Sequence, residues 1–189
     1  LKTLNKVIKF SKINKNYKFK LIYCPPYTLL NLFSKKLKNT NISIGAQNCH
    51  QYKNYGAFTG SVNALMLKNA GAKFIILGHS ENRSDGDTNH IIRKKIESAL
   101  KQKINIIFCI GETLKQRKQN LTNKILSMQI DKGLKLIKSL KKIIISYEPV
   151  WSIGTGIIPT HEELNKTVSC IRYKLNKKFK NKHPVKIIY

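Results

Sequence analysis

The sequence predicts an α/β protein whose parallel sheet is assembled from repeated strand–helix units. Three observations carry that prediction. Short β-branched runs recur along the chain: LIYC (21–24), ISIGAQ (42–47), FIILGH (74–79), NIIFCI (105–110), IIISYEP (143–149) and KIIY (186–189). Several are near-continuously apolar, as strands buried on both faces should be. Longer helical stretches separate them, which is the spacing of β/α units around a parallel sheet. Polar residues then stand at the carboxyl ends of several different strands: Gln47-Asn48, His79-Ser80-Glu81, Gly111-Glu112 and Glu148.

The elements follow in order. A first helix is expected over 3–15. Residues 27–38 (YTLLNLFSKKLK) place Leu29, Leu30, Phe33 and Leu37 in helical register. Further helices are expected near 61–70, 87–102, 117–139 and 161–179. The last opens on Thr160-His161-Glu162-Glu163, the Thr-x-x-Glu spacing of a capping box, with Pro159 just before it. No linker or low-complexity tail interrupts the pattern, so residues 1–189 read as a single domain, a size that supports one good core. Parallel β/α units leave an open doubly wound sheet or a closed eight-fold barrel. No G-x-G-x-x-G follows any strand, and polar strand ends spread over several strands fit a barrel, whose site is assembled from such ends.

Composition bounds the function classes. The chain is 41% apolar and carries 36 Lys+Arg against 9 Asp+Glu, a formal charge of +27. An anionic partner such as nucleic acid is one reading of that charge. The other is codon drift: Lys, Ile and Asn, all encoded by A/T-rich codons, dominate the sequence, and Arg is scarce. A nucleic-acid reader would use more Arg and stacking aromatics in a defined motif, whereas these lysines are scattered. Drift is preferred, and no nucleic-acid partner is expected. The cysteines, Cys24, Cys49, Cys109 and Cys170, show neither CxxC nor metal-ligand spacing and read as reduced thiols, with Cys24 and Cys109 in the core. No apolar run approaches the ~20 residues that span a bilayer. The basic N-terminal stretch lacks the apolar core of a secretion signal. A soluble, cytoplasmic protein without membrane contacts is expected.

Two residues carry candidate chemistry. His79 follows FIILG where a strand leaves the core; alone, it reads more simply as a satisfied structural histidine. Glu148 ends an Ile-Ile-Ile-Ser-Tyr strand, and carboxylates are rarely buried without a reason. An ion pair with a nearby lysine is the plain explanation. A general base in a partly dry site is the functional one. Context favours the base: Pro149-Val150-Trp151 stiffens the exit, and Gly154 and Gly156 let backbone amides approach a ligand. The other histidines, His50, His90, His161 and His183, receive no role.

With these residues in view, the chain resembles the triosephosphate isomerase family. The matching stretches are CPPY (24–27), GAQNC (45–49), GAFTG (56–60), LGHSE (77–81), CIGET (109–113) and YEPVWSIGTG (147–156), in family order and over nearly the whole chain. The family is itself a standard case of acid–base tuning and of lid closure. The resemblance implies a (β/α)8 TIM barrel, with about six of eight β/α units in these residues. It implies interconversion of dihydroxyacetone phosphate and D-glyceraldehyde 3-phosphate through an enediolate, in glycolysis and gluconeogenesis. It implies Glu148 as the base and His79 as the electrophile on the substrate carbonyl, supported by Ser80 and Glu81. Residues 149–156, with Trp151, Gly154 and Thr155, match the lid, the Gly154 N–H lying on the phosphate. Tyr189 matches the tyrosine that helps hold the lid closed. Residues 56–60, with Phe58 and Thr59, match the loop that enters a partner subunit, so a homodimer is implied. No metal and no organic cofactor is implied.

Three departures stand beside the match. Ser61 replaces the glutamate that usually follows GAFTG, and Asn82 replaces the first of two arginines that usually follow GHSE. The expected cost of this double loss is a weaker dimer. The family's first strand, with a catalytic Asn-x-Lys, and its last Gly-rich phosphate loops find no match. The expectation is therefore an internal fragment of a longer chain, essentially inactive by itself. The alternatives are another sugar-phosphate barrel enzyme or a degenerate inactive homologue, and more distantly a basic nucleic-acid-associated protein.

Overall fold

The computed structural model describes residues 2–13, 20–180 and 185–189. Within them, the six expected strands form one parallel sheet in sequential order: β1 (Ile22–Tyr23), β2 (Ser43–Ala46), β3 (Phe74–Leu77), β4 (Asn105–Ile110), β5 (Ile143–Tyr147) and β6 (Ile187–Ile188). Register runs, for example, Phe74 beside Asn105 and Ile106 beside Ile143. Helices fill the crossovers: α1 (Lys2–Ile13), α2 (Tyr27–Lys36), α3 (Ala64–Asn69), α4 (Ser80–Ser84), α5 (Asn89–Lys101), α6 (Leu114–Lys118), α7 (Thr122–Gly133) and α8 (His161–Phe179). Among the described residues β1 pairs only with β2, and β6 only with β5.

Strand alternation sorts the sheet into two faces. Ile75, Leu77, Ile106, Phe108, Ile110, Ile143 and Ile145 pack outward against the helices, in a core that runs from Leu4 of α1 to Val185. Phe74, Ile107 and Cys109, with Ile22, Ile76 and Ile144, form a smaller cluster on the opposite, inner face. The near-continuous apolar runs are explained by this double burial.

Local differences from the sequence expectation have physical causes. The single helix expected over 117–139 is two helices, because Asn120 adopts a left-handed φ of 56° that ends α6. The second stops at Gly133, which lies against the Phe108 ring so closely that a Cβ there would sit 2.6 Å from a ring carbon. In α2, Leu30 and Phe33 are buried and Leu37 caps the helix, but Leu29 faces outward at 40% exposure. The helix expected over 87–102 starts at Asn89 because the Thr88 hydroxyl caps it by accepting from Ile91 N. The Thr160–Glu163 capping box forms in both directions, at 3.2 and 2.9 Å. Residues 14 and 15 of the first expected helix, and His183, lie outside the described residues.

Candidate active site

Because the strands are parallel, their carboxyl ends open on one side, and His79 and Glu148 both stand just beyond them. The His79 Nε2 lies 2.8 Å from Glu148 Oε1. The Ser80 hydroxyl donates to the same Oε1 at 3.2 Å, and the Ser80 N–H reaches Oε2 at 3.4 Å. On the far side of the ring, Glu81 N–H points to Nδ1 at 3.4 Å. An Nδ1 that accepts leaves the ring proton on Nε2, aimed at the carboxylate. The Glu81 carboxylate is 81% exposed and 3.6 Å from Nδ1, too far for a hydrogen bond. Four residues from two strand ends thus form one hydrogen-bonded set.

The pair lies at the mouth of a cleft of about 470 Å³ on the inner face of the sheet, lined by Ile76, Ile107, Cys109, Ser146 and Tyr189 among others. His79 also borders a second cleft of about 360 Å³, with Tyr27, Gln47, Asn48 and Asn82. Glu148 is 18% exposed on its side chain, so the carboxylate is shielded but reachable from solvent. Cys109 is buried in this wall, and burial pushes its thiol up to about 12. Cys24, expected in the core, is only half-buried because β1 is a sheet edge, and it lines the cleft instead, its thiol raised by burial to about 11. The four cysteines are free.

Three supports fix the site from below, and none is evident in the sequence. Arg83 sends its Nε to Gly78 O (2.7 Å), one terminal nitrogen to Asn89 (2.8 Å) and the other to Cys109 O (3.2 Å), tying the His79 turn to β4. Burial lowers the Arg83 pKa, opposed by the nearby Cys109, Asp87 and Glu148. Gln129 of α7 clamps Gly111 by accepting from its N–H and donating to its carbonyl, both at 2.9 Å. Gly111 is required there, since a Cβ would fall 1.8 Å from the Glu148 carbonyl oxygen. Nearby, the largely buried Lys95 binds Asp87 at 2.6 Å and Asn48 at 3.0 Å, joining the loops after β2 and β3.

Glu112 is the other residue whose importance the sequence hides. It is fully buried, and its carboxylate accepts from Trp151 Nε1 at 2.9 Å and from Tyr147 OH at 3.2 Å. Its carbonyl accepts from Val150 N–H at 3.0 Å. Arg117 stacks over the Trp151 ring at 4.5 Å. Trp151 is thereby turned into the protein rather than toward the cleft. Beyond it, Ser152 is half-buried and residues 153–158 are exposed, and the loop is bonded to itself: Ser152 Oγ donates to Ile157 O at 2.6 Å, and Thr155 Oγ1 donates to Trp151 O at 3.0 Å. Gly154 and Gly156 supply the left-handed φ values of 69° and 74° that this tight loop needs. Strand-end polarity in the sequence points to Gly111-Glu112, but only the partners the fold brings to Glu112 distinguish this anchor from a surface acid.

The remaining candidates lie apart from the pair. Tyr189 is exposed, its ring 6.3 Å from that of Tyr147 at the cleft. Phe58 stacks on Tyr52 at 4.1 Å and lies 5.2 Å from His50, forming a half-exposed aromatic cluster with Thr59 exposed beside it. Ser61 N–H closes that turn on Phe58 O at 2.9 Å, and Asn82 is half-buried. Among the described residues no group of three or more His, Cys, Asp or Glu is placed to hold a metal, and no helix is long and apolar enough to cross a membrane.

Comparison with known proteins agrees with this geometry. The family described as triosephosphate isomerase matches residues 2–189. The chain is 40% identical over 167 residues to a triosephosphate isomerase of Dictyoglomus thermophilum, covering 86% of this chain and 67% of that protein. It is 41% identical to one from Thermodesulfovibrio yellowstonii, covering 87% and 68%. The chain therefore spans about two thirds of the length of these relatives. Its fold superposes on the crystal structure of triosephosphate isomerase from Bartonella henselae with a TM-score of 0.90 and 32% identity, covering all of this chain and 76% of the other. Sequence, fold and strand-end constellation together place the chain in the triosephosphate isomerase family.

Proposed function

We propose that this site carries the proton-transfer chemistry of triose phosphate isomerisation, interconverting dihydroxyacetone phosphate and D-glyceraldehyde 3-phosphate, with residues 1–189 acting as one partial-barrel domain. The observation that carries the reading is the 2.8 Å contact between His79 Nε2 and Glu148 Oε1 at the mouth of the cleft. Without substrate the two groups satisfy each other. A bound triose phosphate takes the place of each partner: its carbonyl oxygen accepts from Nε2–H, and its adjacent C–H meets the carboxylate. Glu148 removes that proton, leaving an enediolate whose oxygens His79 stabilises, and returns it to the neighbouring carbon. The net change is one proton moved between carbons and one between oxygens, with no external oxidant and no cofactor required.

Residues 149–156 act as the lid, whose exposed part continues to Ile158. Their mutual hydrogen bonds favour movement as one piece, with the Trp151–Glu112 bond as one hinge and Pro159-Thr160 as the other. Gly154 supplies an N–H to the phosphate, Thr155 braces the loop, and Trp151 anchors it. Closure over the enediolate excludes water. Tyr189, at the cleft edge, is placed to meet the closing lid. The Phe58–Thr59 loop is the contact to a second copy in a homodimer, and the protein works in the cytoplasm. The test is the rate of interconversion in the full-length protein that contains these residues, as wild type, Glu148→Gln and His79→Gln. Each variant is expected to lose about a hundred- to ten-thousand-fold. Equal rates in all three would remove the pair from the chemistry.

A further inference from the structure

Scattered along the sequence, the charges are sorted by the fold. Of the nine acids, seven follow β3, β4 or β5, on the face that holds the site; Glu97 lies within α5, and Asp131, in the last turn of α7 on the opposite side, is paired with Lys174 at 2.6 Å and Lys178 at 3.6 Å. The opposite face is made by the segments that lead into the strands. Described residues there include Lys20 before β1, Lys73 before β3, Lys103 before β4, Lys141 and Lys142 before β5, and Lys186 before β6; Lys38 serves the turn before β2. Five of the six that flank strand starts are exposed, and Lys142 is half-buried with its Nζ on Lys103 O at 3.0 Å. Since the sheet is parallel, all these lysines rim one face.

Codon drift raises the number of lysines but gives no reason for the acids to be sorted to one face, with the already paired Asp131 the acid left near the other. Helix dipoles favour cations near helix C-termini, which lie on this side. Their reach ends within the last turn, yet several of these lysines sit beyond it, next to the strand starts. We propose that this lysine rim is a docking surface for the phosphate backbone of nucleic acid, bound without regard to base sequence and on the face away from the catalytic cleft. Lysine offers point charges suited to phosphates, and the rim lacks the arginine forks and stacked aromatics that read bases. An anionic bilayer is the less favoured partner, because surface binding normally adds apolar insertion. Among the described residues of these segments only Leu136 is a strongly exposed large apolar side chain. The inference is independent of the proposed isomerase activity.

The test uses the full chain with a fluorescently labelled duplex of random sequence, read by anisotropy between about 50 and 200 mM salt. The rim variant Lys73→Gln/Lys103→Gln/Lys141→Gln/Lys186→Gln is compared with a variant of equal charge on the other side, Lys115→Gln/Lys118→Gln/Lys124→Gln/Lys166→Gln. The rim variant is expected to bind at least about tenfold more weakly, with the slope of log K against log salt reduced by about 3.6, while the control changes far less. Equal losses in both variants would show that net charge alone is at work and overturn the proposal. So would tighter binding to anionic lipid vesicles than to the duplex. Amine acetylation of the unmodified chain, with and without duplex, gives a readout that needs no variant: rim lysines must be protected and Lys115 and Lys118 must not.

Discussion

The carboxyl ends of β4 and β5 and the loop that follows β5 are neighbours built on opposite rules. Beneath the site, Gly111, Glu112, Gln129 and Arg83 are locked by paired hydrogen bonds, and there is no room for a single added carbon at Gly111. Residues 153–158, a few positions beyond the end of β5, are exposed and bonded mainly within their own loop, and an added carbon at Gly154 or Gly156 would meet nothing within 4 Å. On the proposed reading, one region fixes where the proton goes and the other closes over it. The boundary between them is the Trp151–Glu112 bond.

Substitutions can break this contrast in a graded way. Loss of the Glu148 or His79 head group is expected to have the largest effect on rate, with little change in folding stability. Gly111→Ala should add a loss of stability to a loss of rate, costing about 3 kcal/mol or more in urea unfolding, because the Glu148 backbone must shift to admit the new carbon. Glu112→Ala leaves the Trp151 and Tyr147 donors buried without their acceptor, at a cost of about 2 to 4 kcal/mol. Trp151 is the sole tryptophan, so its emission should shift red in this variant, reporting a released hinge. Gly154→Ala should cost only about 1 kcal/mol, from its positive φ, and act on phosphate affinity more than on stability.

The smallest effect is one of pH. Burial raises the Cys49 thiol from its ordinary 9.0 to about 12. Its protonated form is therefore favoured by folding. That contribution is complete below pH 9 and is lost as pH rises toward about 12, where the unfolded chain ionises first. Cys49→Ala should make the fall of the melting temperature above pH 9 less steep and leave the neutral range almost untouched in slope. An unchanged alkaline slope would remove Cys49 from the account.

Much of this was legible in the sequence where one residue type decides the matter locally. The apolar runs mark strands buried on both faces, and the Thr160–Glu163 spacing marks the start of α8, because both signals lie within a few residues. The motifs around His79 and Glu148 mark the strand ends. Long-range partners are another matter. Nothing near Glu112 in sequence says that Trp151 and Tyr147 will donate to it, and nothing near Arg83 says that it will reach the Cys109 carbonyl. Leu29 looks as core-facing as Leu30 until the helix is docked, and Asn120 looks like any helical polar residue until its left-handed φ splits the helix. The sorting of lysines to one face is likewise a property of the parallel topology rather than of any stretch of sequence.

The most direct measurement is the exchange of the C1 hydrogen of dihydroxyacetone phosphate with solvent deuterium, followed by proton NMR in the presence of the full-length wild-type protein and of its Glu148→Gln variant. It reads the proton transfer itself, apart from product formation. The account predicts exchange above the uncatalysed background with Glu148 present and none above background in Glu148→Gln. Exchange at the same rate in both proteins would contradict it.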